Sequence, residues 1–113
     1  MTGYDPGDVI LVPFPFGERA GGRKRPALVV SDTAYNQGTG ELIVAQITGR
    51  VTGPPRAGDY LIEGWKEANL PRVALVRARL ATLQSSLVLR RLGRLTTADF
   101  RNVQAALGTA ICR

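Results

Sequence analysis

Short apolar runs separated by loops rich in glycine and proline constrain the fold of this chain more than any other feature. Residues 8–14 are DVILVPF, residues 26–31 are PALVVS and residues 41–48 are ELIVAQIT. Runs of this length, rich in β-branched residues and bounded by Gly and Pro, are typical of strands. A further short strand is predicted at 59–63, and two short strands or one bent strand within 72–84. The pattern favours a small, strongly curved antiparallel barrel of mainly β structure.

One helix is predicted at the C-terminal end, from Thr96 to Ile111. Thr96 followed three residues later by Asp99 resembles a capping box. An apolar stripe at helical spacing, expected to pack on the sheet, consists of Phe100, Val103, Leu107 and Ile111. We therefore expect a mainly β (α+β) fold in which a C-terminal helix covers part of the barrel.

The remaining segments are expected to be connections within one domain spanning residues 1–113. The stretch around Asn36 joins the second and third strands, and residues 85–92 are predicted to form a helical turn that Gly93 ends. No apolar run reaches the roughly 18 residues of a membrane span, and the N-terminus lacks the basic-then-apolar order of a signal peptide. The one cysteine cannot form an internal disulfide, so we expect a cytoplasmic protein.

The charge of the chain favours an anionic partner. The net charge is +6 and the isoelectric point about 10.4. Residues 1–64 carry six Lys/Arg against seven Asp/Glu, a net of −1, whereas residues 65–113 carry nine against two, a net of +7. Nearly all of the excess is arginine, which is suited to bidentate phosphate contacts, so RNA or DNA is a candidate ligand.

The complete absence of histidine restricts the chemistry available. Histidine is the commonest general acid or base and the commonest metal ligand. The chain also has one cysteine and no carboxylate cluster at ligand spacing. We therefore expect no metal and no cofactor, and any catalysis must proceed without them.

A register between the second and third strands would join two separated residues. If these strands pair antiparallel with Ser31 opposite Leu42, Arg25 lies opposite Thr48. Opposed residues point to the same face, so both would share a face with Gln46, while Ile43, Ala45 and Ile47 would point into the core.

An arginine beside a threonine could promote RNA cleavage. The guanidinium can neutralise the charge of a pentacoordinate phosphorus transition state, and the hydroxyl can donate a hydrogen bond to the same oxygens. RNA supplies its own nucleophile, the 2′-hydroxyl, so positioning and charge stabilisation suffice. The alternative is that Arg25 is an ordinary cation at a strand edge and Thr48 an ordinary residue at a strand end.

Four blocks in order resemble the MazF/PemK family of type II toxin–antitoxin endoribonuclease toxins: GDVILVPFPF (7–16), KRPALVVSD (24–32), AQITGR (45–50) and LATLQSSLVLRRLGRL (80–95). The resemblance implies an SH3-like barrel that forms a homodimer and binds single-stranded RNA at the dimer interface. It also implies sequence-specific cleavage without metal, by 2′-hydroxyl attack, leaving a 2′,3′-cyclic phosphate and a 5′-hydroxyl.

The resemblance further implies roles for residues and partners. The family's catalytic arginine matches Arg25 and its catalytic Thr/Ser matches Thr48. A cognate antitoxin would cover the RNA groove, and operator DNA would be bound only by the toxin–antitoxin complex. The sequence departs from the family in its later block, where Ala78 and Gln84 stand in place of acidic residues. That strand therefore provides no carboxylate to act as general base. The general base stays unassigned, and Glu18 is the weakest of the candidates.

Other polar residues are candidates for RNA contact. These are Arg19, Arg23, Lys24, Gln46, Arg50, Arg77 and Arg79. Arg77 and Arg79 lie on one face of their strand and could bind phosphate or remain solvated cations. The cluster of Arg90, Arg91 and Arg94 has the same two interpretations. Trp65 is expected to pack on the barrel, with base stacking as the alternative.

Two functions of other classes remain open from the residues alone. The charge asymmetry is also compatible with an SH3-like module that binds nucleic acid without cleaving it. The second of these alternatives is a toxin of the same fold that acts on a protein target such as DNA gyrase. The order of the four blocks favours the endoribonuclease.

Overall fold

The strands predicted from the apolar runs are present in the computed structural model, which describes residues 3–13 and 24–111. In chain order the elements are β1 (Asp8–Pro13), β2 (Lys24–Val29), α1 (Thr33–Thr39), β3 (Glu41–Thr48), β4 (Tyr60–Leu61), β5 (Leu75–Gln84), β6 (Arg90–Arg94) and α2 (Thr97–Ile111). A short 3-10 turn, Ser85–Leu87, precedes β6.

The six strands form one antiparallel sheet in the order β4–β5–β3–β2–β1–β6. The segment 72–84 contributes one strand, β5, whose pairing with β3 shifts between Ala45 and Gln46. Such an irregularity bends a strand and increases its twist. The sheet curls into a half-barrel accompanied by two helices, α2 at the C-terminus among them. The prediction of a small, mainly β, barrel-like fold with a C-terminal helix is confirmed.

Apolar side chains cover both faces of the curled sheet. One core cluster lies between the sheet and α2 and includes Val9, Leu28, Ala45, Ile47, Val76, Val103 and Leu107. The second cluster lies on the other face and consists of Ile10, Val12, Ala27, Val29, Leu42, Val44 and Leu83. Burial on both faces explains why the run DVILVP of β1 is apolar at successive positions instead of alternating.

The C-terminal helix begins at Thr97, one residue after its predicted start. Thr96 Oγ1 accepts a hydrogen bond from the backbone N–H of Asp99 at 3.1 Å, as in a capping box. The Asp99 carboxylate, however, accepts from the backbone N–H of Gly64 at 2.8 Å and from the hydroxyl of Tyr60. Of the predicted capping box, the contact from the Asp99 N–H to Thr96 is therefore present. The Asp99 side chain instead holds β4 and the segment after it against the helix.

The predicted apolar stripe of α2 is buried at its centre. Val103 is fully buried and Leu107 is 8% exposed, and Phe100 packs partly buried against the same cluster. Ile111 is 54% exposed, so the last turn extends beyond the sheet.

The connection predicted around Asn36 contains a helix, α1, which the sequence interpretation missed. Asp32 precedes this helix and its side chain accepts from the N–H of Ala34, while Gly40 ends it with a φ of 72°. Asn36 is completely buried and its amide donates to the carbonyls of Tyr4 and Ser31. These polar contacts hold the helix against the segments that precede β1 and follow β2.

The predicted helical turn at 85–92, ended by Gly93, is wrong for most of its length. Only Ser85–Leu87 form a helical turn, and Gly93 lies inside β6, paired with Val9. A Cβ at position 93 would collide with the backbone carbonyl of Ala68, so glycine permits a close approach of two chain segments. Neither helix in the described residues combines the length and the hydropathy that crossing a membrane requires.

Candidate functional site

The register between β2 and β3 determines which side chains lie opposite one another. Ala27 pairs with Gln46, Leu28 with Ala45 and Val29 with Val44. This is the register predicted from the sequence. The ladder ends at Ala27 and Gln46, and the same register continued by two residues sets Arg25 opposite Thr48.

Arg25, Gln46 and Thr48 share one face of the sheet. The alternating partners Ala45 and Ile47 belong to the core cluster beneath α2, as predicted. Ile43 is half-buried and belongs to neither cluster. The opposite face carries Leu42 and Val44 and then, towards the end of β3, Gln46 and Thr48. The apolar face therefore becomes polar at the point where Arg25 and Thr48 lie.

Thr48 is half-buried, and the chain that follows it orients its hydroxyl. Its Oγ1 accepts a hydrogen bond from the backbone N–H of Arg50 at 3.1 Å. Since the oxygen is an acceptor here, the hydroxyl proton is available for donation to a ligand. Arg25 is also half-buried, and no carboxylate within the described ranges forms an ion pair with it. Its guanidinium is therefore not neutralised by that part of the chain.

Arg77 extends the polar region across β5. It pairs with Gln46 in the sheet, and Gln46 is 8% exposed. Asp59, immediately before β4, binds Arg77 through two hydrogen bonds: Nε to Oδ1 at 3.0 Å and Nη2 to Oδ2 at 3.0 Å. We refer to Arg25, Gln46, Thr48, Asp59 and Arg77 as the polar strip.

The two charges in the polar strip stabilise each other. The hydrogen bond from Arg77, with help from the backbone N–H of Arg56, holds the pKa of the Asp59 carboxyl below its ordinary value, against the opposing effect of burial. The same pair raises the pKa of Arg77. The sequence pattern indicates Arg77 as a candidate but not Asp59. The register between β4 and β5 brings Asp59 and Arg77 together. Because β4 has only two residues, the sequence contains little signal from which this register could be predicted.

The other predicted RNA-contact residues are more scattered. Lys24, Arg50 and Arg79 are exposed, at the start of β2, in the loop after β3 and on β5 respectively. Arg19 and Arg23, together with Glu18, lie outside the described residues. Within the described chain, no three acidic or cysteine side chains are grouped as a metal site would require.

The arginines predicted near residue 90 belong to strand β6 and not to a helix end. Asp8, 2% exposed, forms ion pairs with Arg91 at 3.0 Å and with Arg94 at 2.6 Å. Arg90 is exposed. Trp65 packs against the core cluster beneath α2, as expected from the sequence.

Comparison with known proteins identifies the family of this chain. The sequence model of the PemK-like, MazF-like toxins of type II toxin–antitoxin systems matches residues 5–111. The chain belongs to this family. No curated protein sequence matches the chain.

Several solved structures have the fold of this MazF-like toxin. An endoribonuclease in complex with its cognate antitoxin, from a mycobacterial species, has a TM-score of 0.75 and 23% identity, covering 96% of this chain and 94% of that one. MazF from Deinococcus radiodurans has a TM-score of 0.73 and 25% identity, covering 97% of each chain. The Mycobacterium tuberculosis toxin MazF-mt6 has a TM-score of 0.73 at 18% identity, covering 91% and 94%.

Proposed function

We propose that this MazF-like toxin is a sequence-specific endoribonuclease that cleaves single-stranded RNA without a metal ion. The observation that carries the proposal is the β2–β3 register in a member of this family: extended by two residues beyond the last observed pair, it sets Arg25 opposite Thr48. A polar face at the end of an otherwise apolar sheet surface supports it. The exposed cations Lys24, Arg50 and Arg79 would attract the phosphate backbone.

In the proposed reaction the RNA supplies the nucleophile. The 2′-oxygen attacks the adjacent phosphorus and loses its proton, while the bond from phosphorus to the 5′-oxygen breaks and that oxygen gains a proton. The products are a 2′,3′-cyclic phosphate and a 5′-hydroxyl. Arg25 stabilises the extra negative charge on the non-bridging oxygens, and Thr48 donates its hydroxyl proton to one of them.

The proposal includes the partners expected for such a toxin. The chain acts in the cytoplasm as a homodimer whose interface forms the RNA groove, and a cognate antitoxin neutralises it by covering that groove. Operator DNA is bound by the toxin–antitoxin complex and not by the toxin alone. The antitoxin partner is supported by solved relatives, which include an endoribonuclease with its cognate antitoxin and the MazE–MazF pair of Deinococcus radiodurans.

The test is cleavage of a long mixed-sequence RNA in the presence of EDTA. We expect discrete fragments with 2′,3′-cyclic phosphate ends. Arg25→Ala and Thr48→Val should each reduce the cleavage rate by roughly 100- to 1,000-fold, the size expected for one lost transition-state donor, whereas Thr48→Ser should retain most of it. Arg101→Ala is the matched control, because it removes one exposed cation from α2, outside the polar strip, and should leave the rate unchanged.

Other outcomes would point to the alternative functions. Salt-sensitive RNA binding with no cleavage after long incubation would identify a binding module. Growth arrest with intact cellular RNA would identify a protein target. If Arg25→Ala cleaves as fast as the wild type, the assigned mechanism is wrong even though the protein is a nuclease.

A further inference from the structure

We infer that Asp59 is a positioning residue for the reaction: its ion pair fixes the Arg77 guanidinium so that the remaining N–H donors contact an RNA phosphate beside the cleaved bond. This inference rests on the proposed function and adds to it a residue that has no counterpart among the sequence-based candidates. Asp59 acts through Arg77 and does not itself contact the RNA.

The exposure of the two side chains indicates which of them meets a ligand. The Asp59 side chain is 6% exposed and the Arg77 side chain 19% exposed. The carboxylate is therefore enclosed, while part of the guanidinium reaches solvent. Asp59 uses Nε and one N–H of Nη2, which leaves three of the five guanidinium N–H donors for another acceptor. A phosphate oxygen is the acceptor that fits this fork best.

The backbone before β4 is built to place this carboxylate. Asp59 Oδ2 accepts from the backbone N–H of Arg56 at 2.9 Å, and the N–H of Asp59 donates to the carbonyl of Arg56 at 2.9 Å. Gly58, with a φ of 90°, packs where a Cβ would lie 2.7 Å from that of Ala78. The turn is thus pressed against β5, and the β4–β5 register continued by one residue sets Asp59 opposite Arg77.

The pair changes what Arg77 can contribute to RNA binding. With Asp59 beside it, Arg77 has almost no net charge to attract RNA from a distance, but its orientation is fixed. Because Asp59 is held as a carboxylate with both oxygens accepting hydrogen bonds, it is poorly suited to act as a general base. The expected role of the pair is to orient the phosphate, which affects the rate of cleavage more than the affinity.

Asp59→Asn separates orientation from attraction. We expect this variant to cleave RNA roughly 10- to 100-fold more slowly at saturating RNA, since a misplaced contact costs up to two orders of magnitude. Its affinity for an RNA lacking the 2′-hydroxyl at the cleavage site should be equal or higher, because Arg77 is no longer neutralised. The slope of log affinity against log salt should steepen by about 0.7, the increment for one added cation on a single strand.

Two controls distinguish positioning from a purely structural role. Asp8 is a buried carboxylate on β1 with arginine partners on β6, and β2 and β3 separate β1 from β5 in the sheet. Asp8→Asn should lower thermal stability without changing the cleavage rate of the folded protein. The exchange Asp59→Arg with Arg77→Asp restores an ion pair but moves the guanidinium to the wrong strand. We expect it to regain stability without regaining cleavage.

The outcomes separate this inference from the proposed function. If the wild type binds RNA but never cleaves it, the proposed function fails, and an unchanged salt slope in Asp59→Asn then overturns the inference as well. If the wild type cleaves and Asp59→Asn cleaves within twofold of it, only the inference fails. Recovery of cleavage by the exchanged pair would also overturn it, because the ion pair would then serve only the fold.

Discussion

Replacing Gly58 with alanine should destabilise the toxin more than replacing any other loop glycine of similar backbone conformation in residues 3–13 and 24–111. Gly58 has a φ of 90°, and an added Cβ would lie 2.7 Å from the Cβ of Ala78 and 3.0 Å from that of Ala110. Those neighbours belong to β5 and α2, so neither can swing aside as the end of a flexible side chain could. The collision must be relieved by moving the turn, the strand or the helix.

The magnitude follows from two separable contributions. A non-glycine residue at positive φ costs about 1–2 kcal/mol. Forcing an extra carbon into a closely packed contact adds about 1–3 kcal/mol. Gly53 is the matched control, because its φ is 94° and nothing lies within 4 Å of its added Cβ. Gly53→Ala therefore carries only the backbone contribution, and Gly58→Ala should exceed it by the packing contribution.

The assay is urea unfolding of both variants and the wild type, with free energies compared at equal m-values. If the free energies of unfolding of Gly58→Ala and Gly53→Ala differ by less than about 0.5 kcal/mol, the turn does not approach β5 and α2 as closely as described. A folded Gly58→Ala should also cleave RNA slowly, since a displaced turn moves Asp59 away from Arg77.

Two further predictions concern stability. The lowered pKa of Asp59 means that its contribution is complete above the ordinary carboxyl pKa and is lost as the pH falls towards the lowered value. The wild type should therefore lose stability more steeply below about pH 4 than Asp59→Asn does, measured by urea unfolding at a series of pH values. An equally steep loss of stability in both proteins would contradict a stabilising ion pair between Asp59 and Arg77. Val103→Ala, at a fully buried site on α2, should lose about 2 kcal/mol, whereas Ile111→Ala should lose less than about 0.5 kcal/mol, and equal losses would contradict the buried stripe.

Local sequence patterns predicted the strands and the register because both depend on neighbouring residues. The run ELIVAQIT was predicted as a strand at 41–48 and is one with those bounds. Three observed pairs between β2 and β3 follow the predicted register. Consecutive antiparallel strands have few alternatives once one face must be apolar.

The elements that were missed depend on contacts between distant parts of the chain. Helix α1 is held by Asn36, whose amide donates to the carbonyl of Tyr4, 32 residues away in sequence. The local sequence predicts a helix stop at Gly93, because its close contact with Ala68 cannot be recognised from neighbouring residues. Asp59 was overlooked for the same reason, since its partner is 18 residues away, across a two-residue strand.

The uneven charge along the sequence does not carry over unchanged into space. Three arginines of the basic half, Arg77, Arg91 and Arg94, form ion pairs with Asp59 and Asp8 of the acidic half. Asp59 offsets the charge of Arg77 on β5, and the single Asp8 carboxylate offsets one of the arginine charges of edge strand β6, where the sequence alone suggested a phosphate patch. Within the described chain, Lys24 and Arg25 at the start of β2 form no such pair. The electrostatic attraction for RNA is therefore expected to be strongest beside Thr48, although the half of the sequence containing these residues has a net negative charge.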